Sequence, residues 1–201
     1  GKLNAAASAK GHRHNQDYAR HLTRMGEPWE MYDAAQMAEL TGTGYYQSGL
    51  FTPGTVMLQP AMYIRGIARG LASHNAEIFE NSPVTALEQN GDWSATTPSG
   101  KVTAPRIILA VNGHANSFGL YPQQLIHVFT YASMTRALTA QEMKALGGAR
   151  NWGATPADPL GTTVRRISGI GGDRIIVRNR ATFEPSMQVS ERRIRAVSRS
   201  H

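Results

Sequence analysis

The sequence contains no cysteine, which excludes disulfide bonds, thiol chemistry and cysteine-based metal sites. It also contains no apolar run close to the roughly 20 residues that a membrane-spanning helix needs. Its first five residues, Gly1 to Ala5, lack the hydrophobic segment of a secretory signal. Together with 41% hydrophobic residues, these absences favour a soluble, globular, cytoplasmic protein with no membrane partner.

Several common catalytic and nucleotide-binding motifs are missing as well. Gly42-x-Gly44 has Gln47 where the third glycine of a dinucleotide-binding GxGxxG would stand, and it follows a predicted helix instead of opening one. Phosphate-binding GxxxxGK[ST], zinc-binding HExxH and GxSxG do not occur. His12 and His14 have no partner at metal-ligand spacing, so we expect no metal site. Spacing alone therefore predicts no complete catalytic site.

The chain is strongly basic, with a formal net charge of +7, and its second half carries much of the excess. Such an asymmetry can mark a phosphate-binding face, so a basic nucleic-acid or polyanion-binding module stays open as an alternative. However, the arginines alternate with apolar residues, and no zinc-finger or RNP motif accompanies them. We favour a solvated or covered face and expect no nucleic-acid partner. The arginines concerned are Arg165, Arg166, Arg174, Arg178, Arg180, Arg192, Arg193, Arg195 and Arg199.

Capping residues and apolar periodicity predict the helices. Asp33 with Gln36, and Thr139 with Glu142, are capping boxes that each open a short helix. Pro60 suits the first turn of a longer helix, in which an apolar stripe is expected to bury one face. Further helices are predicted over residues 16–25 and from residue 186 onward. The stripe consists of Ile64, Ile67, Ala68 and Leu71.

Alternating residues and turn dipeptides predict the strands. Asn90-Gly91 and Pro98-Ser99-Gly100 divide residues 84–104 into a three-stranded antiparallel meander. Gly171-Gly172 joins a second hairpin, and residues 149–162 resemble a loop. The expected fold class is therefore α/β, of the mixed α+β kind. The remaining strands are expected at residues 29–32, 45–51, 77–80, 124–127 and 129–136.

The stretch from Arg106 to Ala115 contains the residues most typical of a ligand-contacting segment. Its Ile- and Val-rich run predicts a strand buried on both faces. Asn112-Gly113 then ends the run, and ligands of open sheets bind beyond such strand ends, where glycine permits close approach. A buried strand followed by an ordinary turn is the alternative.

Several segments occur in one order over roughly residues 29 to 201. They are Gly49-Leu-Phe-Thr-Pro-Gly54, Gln59-Pro60, Ile78-Phe-Glu-Asn-Ser-Pro-Val84, Thr97-Pro-Ser-Gly100, Ile107-Ile-Leu-Ala-Val-Asn-Gly-His114 and Gly171-Gly-Asp-Arg-Ile-Ile-Val-Arg178. This order resembles the flavin-dependent D-amino-acid oxidase/glycine oxidase superfamily, and within it the gamma-glutamylputrescine oxidase-like members. The resemblance implies FAD as cofactor and a small amine or amino acid as substrate.

The resemblance also implies where FAD would lie. The backbone of Val84 would hold the adenine. Ala110, Val111, Asn112 and Gly113 would pass close to the ribose and pyrophosphate. Residues 1–120 would then be a partial FAD-binding domain, with an early substrate-domain strand near 45–52, and residues 121–201 a partial substrate-binding domain.

In such a family, an antiparallel sheet in the substrate domain covers the flavin. Tyr46, Phe51 and Arg178 would face the substrate cavity, although packing in the core is an equal alternative for each. The implied reaction removes a hydride from a C–N carbon, hydrolyses the resulting imine and returns the electrons to oxygen as peroxide.

Two departures from the family pattern concern the ends of its fold. The N-terminal GxGxxG unit and the C-terminal segment that returns to the flavin have no counterpart in these 201 residues. We therefore expect an internal fragment that is inactive alone, binds FAD poorly and self-associates through truncated sheet edges.

Overall fold

A computed structural model describes residues 1–71 and 73–199. The chain folds as two compact units, each built from separate stretches of sequence. The first unit comprises Gly1–Met57, Val128–Thr182 and Val189–His201, and the second comprises Leu58–His127 and Phe183–Gln188. These units are defined by packing alone, so the functional division at residue 120 stays a prediction.

Within the described residues the chain forms ten strands, five α-helices and one 3₁₀ helix. The strands are β1 Lys2–Ala6, β2 Glu30–Tyr32, β3 Ser48–Thr52, β4 Ala86–Asn90, β5 Asp92–Thr97, β6 Gly100–Ala104, β7 Val128–Met134, β8 Trp152–Pro156, β9 Thr163–Ile167 and β10 Arg174–Phe183. The helices are α1 Ala9–Met25, α2 Ala34–Thr41, α3 Pro60–Leu71, α4 Ala140–Leu146 and α5 Glu191–Ser198, and the 3₁₀ helix covers Asn112–Phe118. No described helix is both long and apolar enough to cross a membrane.

The first unit contains a seven-stranded sheet in the order β2-β3-β1-β8-β9-β10-β7. Strand β1 pairs antiparallel with β3 and parallel with β8, whereas β8, β9 and β10 are successively antiparallel. The second unit contains the separate meander β4-β5-β6. The predicted fold class and meander are confirmed, and the large sheet is mixed because β1 pairs parallel with β8 and antiparallel with β3.

The two faces of the large sheet pack against different helices. On one face, Leu3 and Ala154 lie in the core with Met37 of α2. On the other face, Leu50 packs against Ala19 and Leu22 of α1. Because side chains alternate along each strand, these contacts define an α2 face and an α1 face for the whole sheet.

Local capping explains where the helices begin and end. Asp33 and Gln36 exchange backbone and side-chain hydrogen bonds of 2.9 Å, and Thr139 and Glu142 form the second capping box. Both predictions are confirmed. Helix α1 begins earlier than the predicted residue 16, because the Ser8 hydroxyl accepts a hydrogen bond from the Gly11 amide and caps it.

Three segments of the second unit differ from the predicted strands. Residues 77–80, 106–111 and 124–127 form no strand, and the Ile108 side chain is 91% exposed. Strands require a hydrogen-bonding neighbour, and no described strand pairs with these segments. The apolar stripe of α3, which was expected to bury one face of the helix, is exposed. No described residue covers it, and Ile64 is 61% exposed.

Two segments of the first unit are strands that the sequence did not reveal. Strand β1 was not predicted, since its Asn4 and two alanines have weak strand propensity. Strand β8 lies inside the predicted loop 149–162, where Gly153 and Pro156 suggested breaks. Pro156 occupies the last position of β8, opposite Ala5. Tertiary pairing overrides propensity in both. Likewise, the helix predicted from residue 186 begins at Glu191, after the capping Ser190.

Replacement of Met37 by alanine tests the core of the α2 face. The Met37 side chain is fully buried, and truncation leaves a cavity that costs about 2–5 kcal/mol of unfolding free energy. Urea denaturation measures this loss. Met25→Ala is the matched control, because Met25 is 60% exposed at the end of α1. Equal stabilities of the two variants would contradict the packing described.

Candidate functional site

The segments expected to contact FAD lie in the second unit with their backbone accessible. Val84, just before β4, is 41% exposed, and residues 107–110, which precede Asn112, belong to no helix or strand. Asn112 adopts a left-handed conformation with φ of 51° and opens the 3₁₀ helix. Among the residues described, the backbones of Val84 and 107–110 form no hydrogen bond. Their N–H and C=O groups are free for a ligand.

The side chain of His127 contacts the turn at Asn112-Gly113. Its Nε2 lies 3.3 Å from the Gly113 carbonyl oxygen, and because a carbonyl only accepts, the imidazole donates through Nε2–H. A Cβ added at Gly113 would stand 3.0 Å from Cδ2 of His127, so a larger residue there would have to displace the imidazole by a few tenths of an ångström. The sequence reasoning missed His127, since nothing in the spacing of residues 113 and 127 marks the contact.

The side-chain oxygen Oδ1 of Asn116 is buried and has no hydrogen-bond partner among the described residues. Buried acceptors without partners are rare in folded proteins. Asn116 lies in the 3₁₀ helix that Asn112 and Gly113 open. The free backbone groups of Val84 and residues 107–110 fit the adenosine portion of a dinucleotide, which proteins recognise largely through hydrogen bonds. No glycine-rich phosphate loop accompanies them in this chain.

The three residues expected in the substrate cavity belong to the first unit, and the sheet separates them. Phe51 is paired with Leu3 and shares the α2 face, where Tyr46 also packs. Ala154 of the α2 face is paired with Val164 of β9. Thr163, the residue before Val164, lies on the opposite face, and Arg178 of β10 is paired with it. Arg178 therefore projects from the α1 face, and the structure does not bring the three together.

Tyr46 and Phe51 make the contacts of core residues. Tyr46 is buried with its ring edge-on to Tyr45 at 5.2 Å, and Phe51 stacks on Tyr32 at 5.7 Å. Burial, and to a smaller extent Tyr45, raises the pKa of the Tyr46 phenol, which stays protonated at neutral pH. Their role in substrate binding stays a prediction.

Asp173, at the turn between β9 and β10, is the buried carboxylate of the first unit. Arg150 binds it in a two-pronged contact, with nitrogen–oxygen distances of 2.7 and 3.2 Å. The hydrogen bonds from Arg150 lower the pKa of Asp173, and the charges of Arg150 and Arg166 lower it further. Arg166 is buried and donates to the Gly147 carbonyl oxygen. Within residues 1–71 and 73–199, no group of three His, Asp or Glu could hold a metal ion.

The amino-acid sequence matches the family described as "DAO: FAD dependent oxidoreductase" over residues 1–200. The chain belongs to this DAO family. Two curated relatives, both named "Probable oxidoreductase OrdL", are each 28% identical. The Rhizobium meliloti protein aligns over 62% of this chain and 30% of its own length, and the Haemophilus influenzae protein over 49% and 22%.

Solved structures confirm the fold of this DAO-family chain. Glycine oxidase from Bacillus cereus matches with a TM-score of 0.70 and 15% identity, covering 100% of this chain and 54% of the oxidase. Glycine oxidase from Geobacillus kaustophilus matches with a TM-score of 0.69 and 16% identity, covering 95% of this chain and 50% of the oxidase. L-proline dehydrogenase from P. horikoshii matches with a TM-score of 0.69 and 14% identity, covering 98% of this chain and 54% of the dehydrogenase. The chain thus spans about half of these structures and less of the curated relatives.

Replacement of Asp173 by asparagine should weaken the pH dependence of stability. Because the folded-state pKa of Asp173 lies below its ordinary value of 3.8, its ionised form stabilises the fold above that value. This contribution is lost as the pH falls through the lowered pKa. Thermal unfolding between about pH 7 and about pH 3 should show a smaller drop in Tm for Asp173→Asn than for the native chain.

The matched control for this measurement is Asp17→Asn, which removes an exposed carboxylate of α1. A pH profile of Asp173→Asn equal to that of the native chain would show that the contact between Arg150 and Asp173 contributes no pH-dependent stability.

Proposed function

We propose that this chain is part of a flavoenzyme that oxidises the C–N bond of an amine or amino acid. The observation that carries the proposal is the family match, which extends over residues 1–200 and so includes both units. Bound FAD would supply the redox chemistry by accepting a hydride from the C–N carbon, and oxygen would then take the two electrons from the reduced flavin and become hydrogen peroxide. The protein's part is to bind and orient.

The binding groups of this chain come from the second unit. The free backbone of Val84 is suited to hold the adenine, and Ala110 to Gly113 supply backbone groups for the ribose and pyrophosphate. His127 would keep the turn at Gly113 rigid, which reduces the entropy lost on binding.

For the substrate, we propose a gamma-glutamylputrescine-like amine. Support comes from the hairpin β9/β10, which is formed as expected and contains the segment Gly171-Gly-Asp-Arg-Ile-Ile-Val-Arg178 that resembles this subgroup. Tyr46, Phe51 and Arg178 remain the proposed substrate residues, and the buried Tyr46 would act through packing. A cytoplasmic location is also proposed, on the absence of cysteine.

The complete gene product tests the proposed function. After purification with FAD, it is mixed without oxygen with gamma-glutamylputrescine, glycine or sarcosine, and flavin absorbance is recorded. We expect gamma-glutamylputrescine to bleach the flavin, and peroxide to form on admission of air. A flavin that none of these compounds reduces would contradict the proposal. The 201-residue chain alone, which lacks GxGxxG, should retain little flavin colour after desalting.

We also propose that the isolated 201-residue chain self-associates through strand β7. This strand lies at one end of the large sheet, and its sequence Val128–Met134 contains neither charge nor proline, which normally protect such edges. Light scattering after size exclusion should show a dimer or larger species, which Thr130→Lys dissociates. Ser99→Lys adds the same charge to a turn of the meander and should have no effect. A monomeric native chain would refute this proposal.

A further inference from the structure

Helix α1 presents one polar residue to the large sheet. Its buried residues are Gly11, Asn15, Ala19 and Leu22, a spacing that places all four on one side of the helix. Ala19 and Leu22 pack against Leu50 of β3. Asn15 is only 1% exposed, and burial of an amide costs free energy unless hydrogen bonds compensate it. The surroundings of Asn15 must therefore supply polar groups.

The α1 face of the sheet supplies these groups beneath Asn15. Asn4 of β1 is paired with Leu50 on one side and with Thr155 of β8 on the other, so all three lie on the α1 face. Asn15 Nδ2 donates to the main-chain carbonyl oxygen of Asn4 at 2.8 Å. The Thr155 hydroxyl donates to Asn4 Oδ1 at 2.7 Å. These two hydrogen bonds orient both amide side chains.

Each amide keeps one group that is not engaged. Asn15 uses Nδ2 and Asn4 uses Oδ1, which leaves Oδ1 of Asn15 and Nδ2 of Asn4. Neither of these atoms has a hydrogen-bond partner within residues 1–71 and 73–199. The first is an acceptor and the second is a donor. A ligand that carries an N–H group beside a carbonyl oxygen would satisfy both.

Asn4 and Asn15 both line a cavity of about 340 Å³, a volume within the range of small-molecule sites. Every residue that lines the cavity belongs to the first unit. We call it the amide cavity. Tyr18 and Pro156 offer it apolar surface, against which a flat ring can pack. The exposed side chains of His14 and Asp17 line it as well.

The hydrogen-bonding groups of the amide cavity favour a neutral ligand. The carboxylate of Asp17 is already paired with Arg20, three residues along α1. A carboxylate on the ligand would place a second acceptor against Asn15 Oδ1, and an ammonium group would offer no acceptor to Asn4 Nδ2. A carboxamide provides the donor and the acceptor together.

We propose that the amide cavity binds a small neutral carboxamide attached to a flat ring. The N–H group of the ligand donates to Asn15 Oδ1, its carbonyl oxygen accepts from Asn4 Nδ2, and its ring packs on Tyr18 and Pro156. None of the residues proposed to hold FAD or the amine substrate lines this cavity. The inference is therefore independent of the proposed function.

Three compounds that share a pyridine ring test the proposal on the native 201-residue chain. Nicotinamide carries a carboxamide, nicotinate a carboxylate and 3-picolylamine an ammonium group at the same ring position. Each is titrated into the chain by calorimetry. Nicotinamide should bind, and the two charged compounds should bind at least about tenfold more weakly, because each loses one of the two hydrogen bonds.

Two variants locate the binding. Asn4→Asp keeps an oxygen for Thr155 but replaces the Nδ2 donor by an acceptor, so nicotinamide affinity should fall at least about tenfold. His14→Trp fills the cavity from an exposed position of α1 and should abolish binding. Asn90→Asp makes the matched exchange in the turn of the meander, where nicotinamide affinity should equal that of the native chain. Circular dichroism confirms folding.

Three results would overturn the proposal. The first is a native chain that does not bind nicotinamide, and the second is nicotinate or 3-picolylamine binding as tightly as nicotinamide. The third is an affinity for nicotinamide that His14→Trp leaves unchanged. The comparison of the three compounds uses the native chain alone, so it decides the matter even if Asn4→Asp fails to fold.

Discussion

The pairing of β1 with both β3 and β8 is the constraint on which the first unit depends. Leu3 stands opposite Phe51 on one side and Ala154 on the other, so five residues join the two halves of a seven-stranded sheet. Without β1, the α2-face core would lose Leu3 and Ala5, and the strands bearing Phe51 and Arg178 would have no common sheet. Every geometrical statement about the opposite faces follows from this register.

That register separates two kinds of chemistry. The α2 face is lined by apolar and aromatic side chains, whereas β9 and β10 present charged groups on the α1 face. A strand pair shifted by one residue would exchange them and bury arginines in the core. Arg166 shows how such a charge is tolerated: it is buried on the α2 side, where it donates to the Gly147 carbonyl oxygen near Asp173.

Local signals in the sequence were sufficient for local structure. The capping boxes at Asp33 and Thr139, the Asn90-Gly91 meander and the Gly171-Gly172 hairpin all formed as expected, because each depends on residues only a few positions apart. Strands β1 and β8 were missed because their partners lie far along the chain. For Arg106–Val111 the error was the reverse, because a buried strand was predicted and none forms. An apolar run indicates a tendency to be buried, and no described residue covers this segment.

In the candidate site too, the local feature was predicted from the sequence and the long-range features were not. Asn112-Gly113 was visible as a turn, and its left-handed backbone agrees with that reading. His127 and Asn116 could not have been found, since their significance lies in a contact and in an unmatched acceptor, and neither leaves a trace in spacing. The family resemblance supplied the cofactor, but it did not show that Arg178 lies across the sheet from Phe51.

The long-range partner of β1 also affects synthesis of the chain on the ribosome. Thr155 of β8 bonds to Leu3 across 152 positions, so β1 emerges long before β8 exists. At roughly 5–20 residues per second, the delay is about 8–30 s. During that interval β1 can pair with β3, which also pairs with β2, but the edge of β1 that β8 will occupy stays open. That edge of β1 stays unpaired until Pro156 has left the exit tunnel.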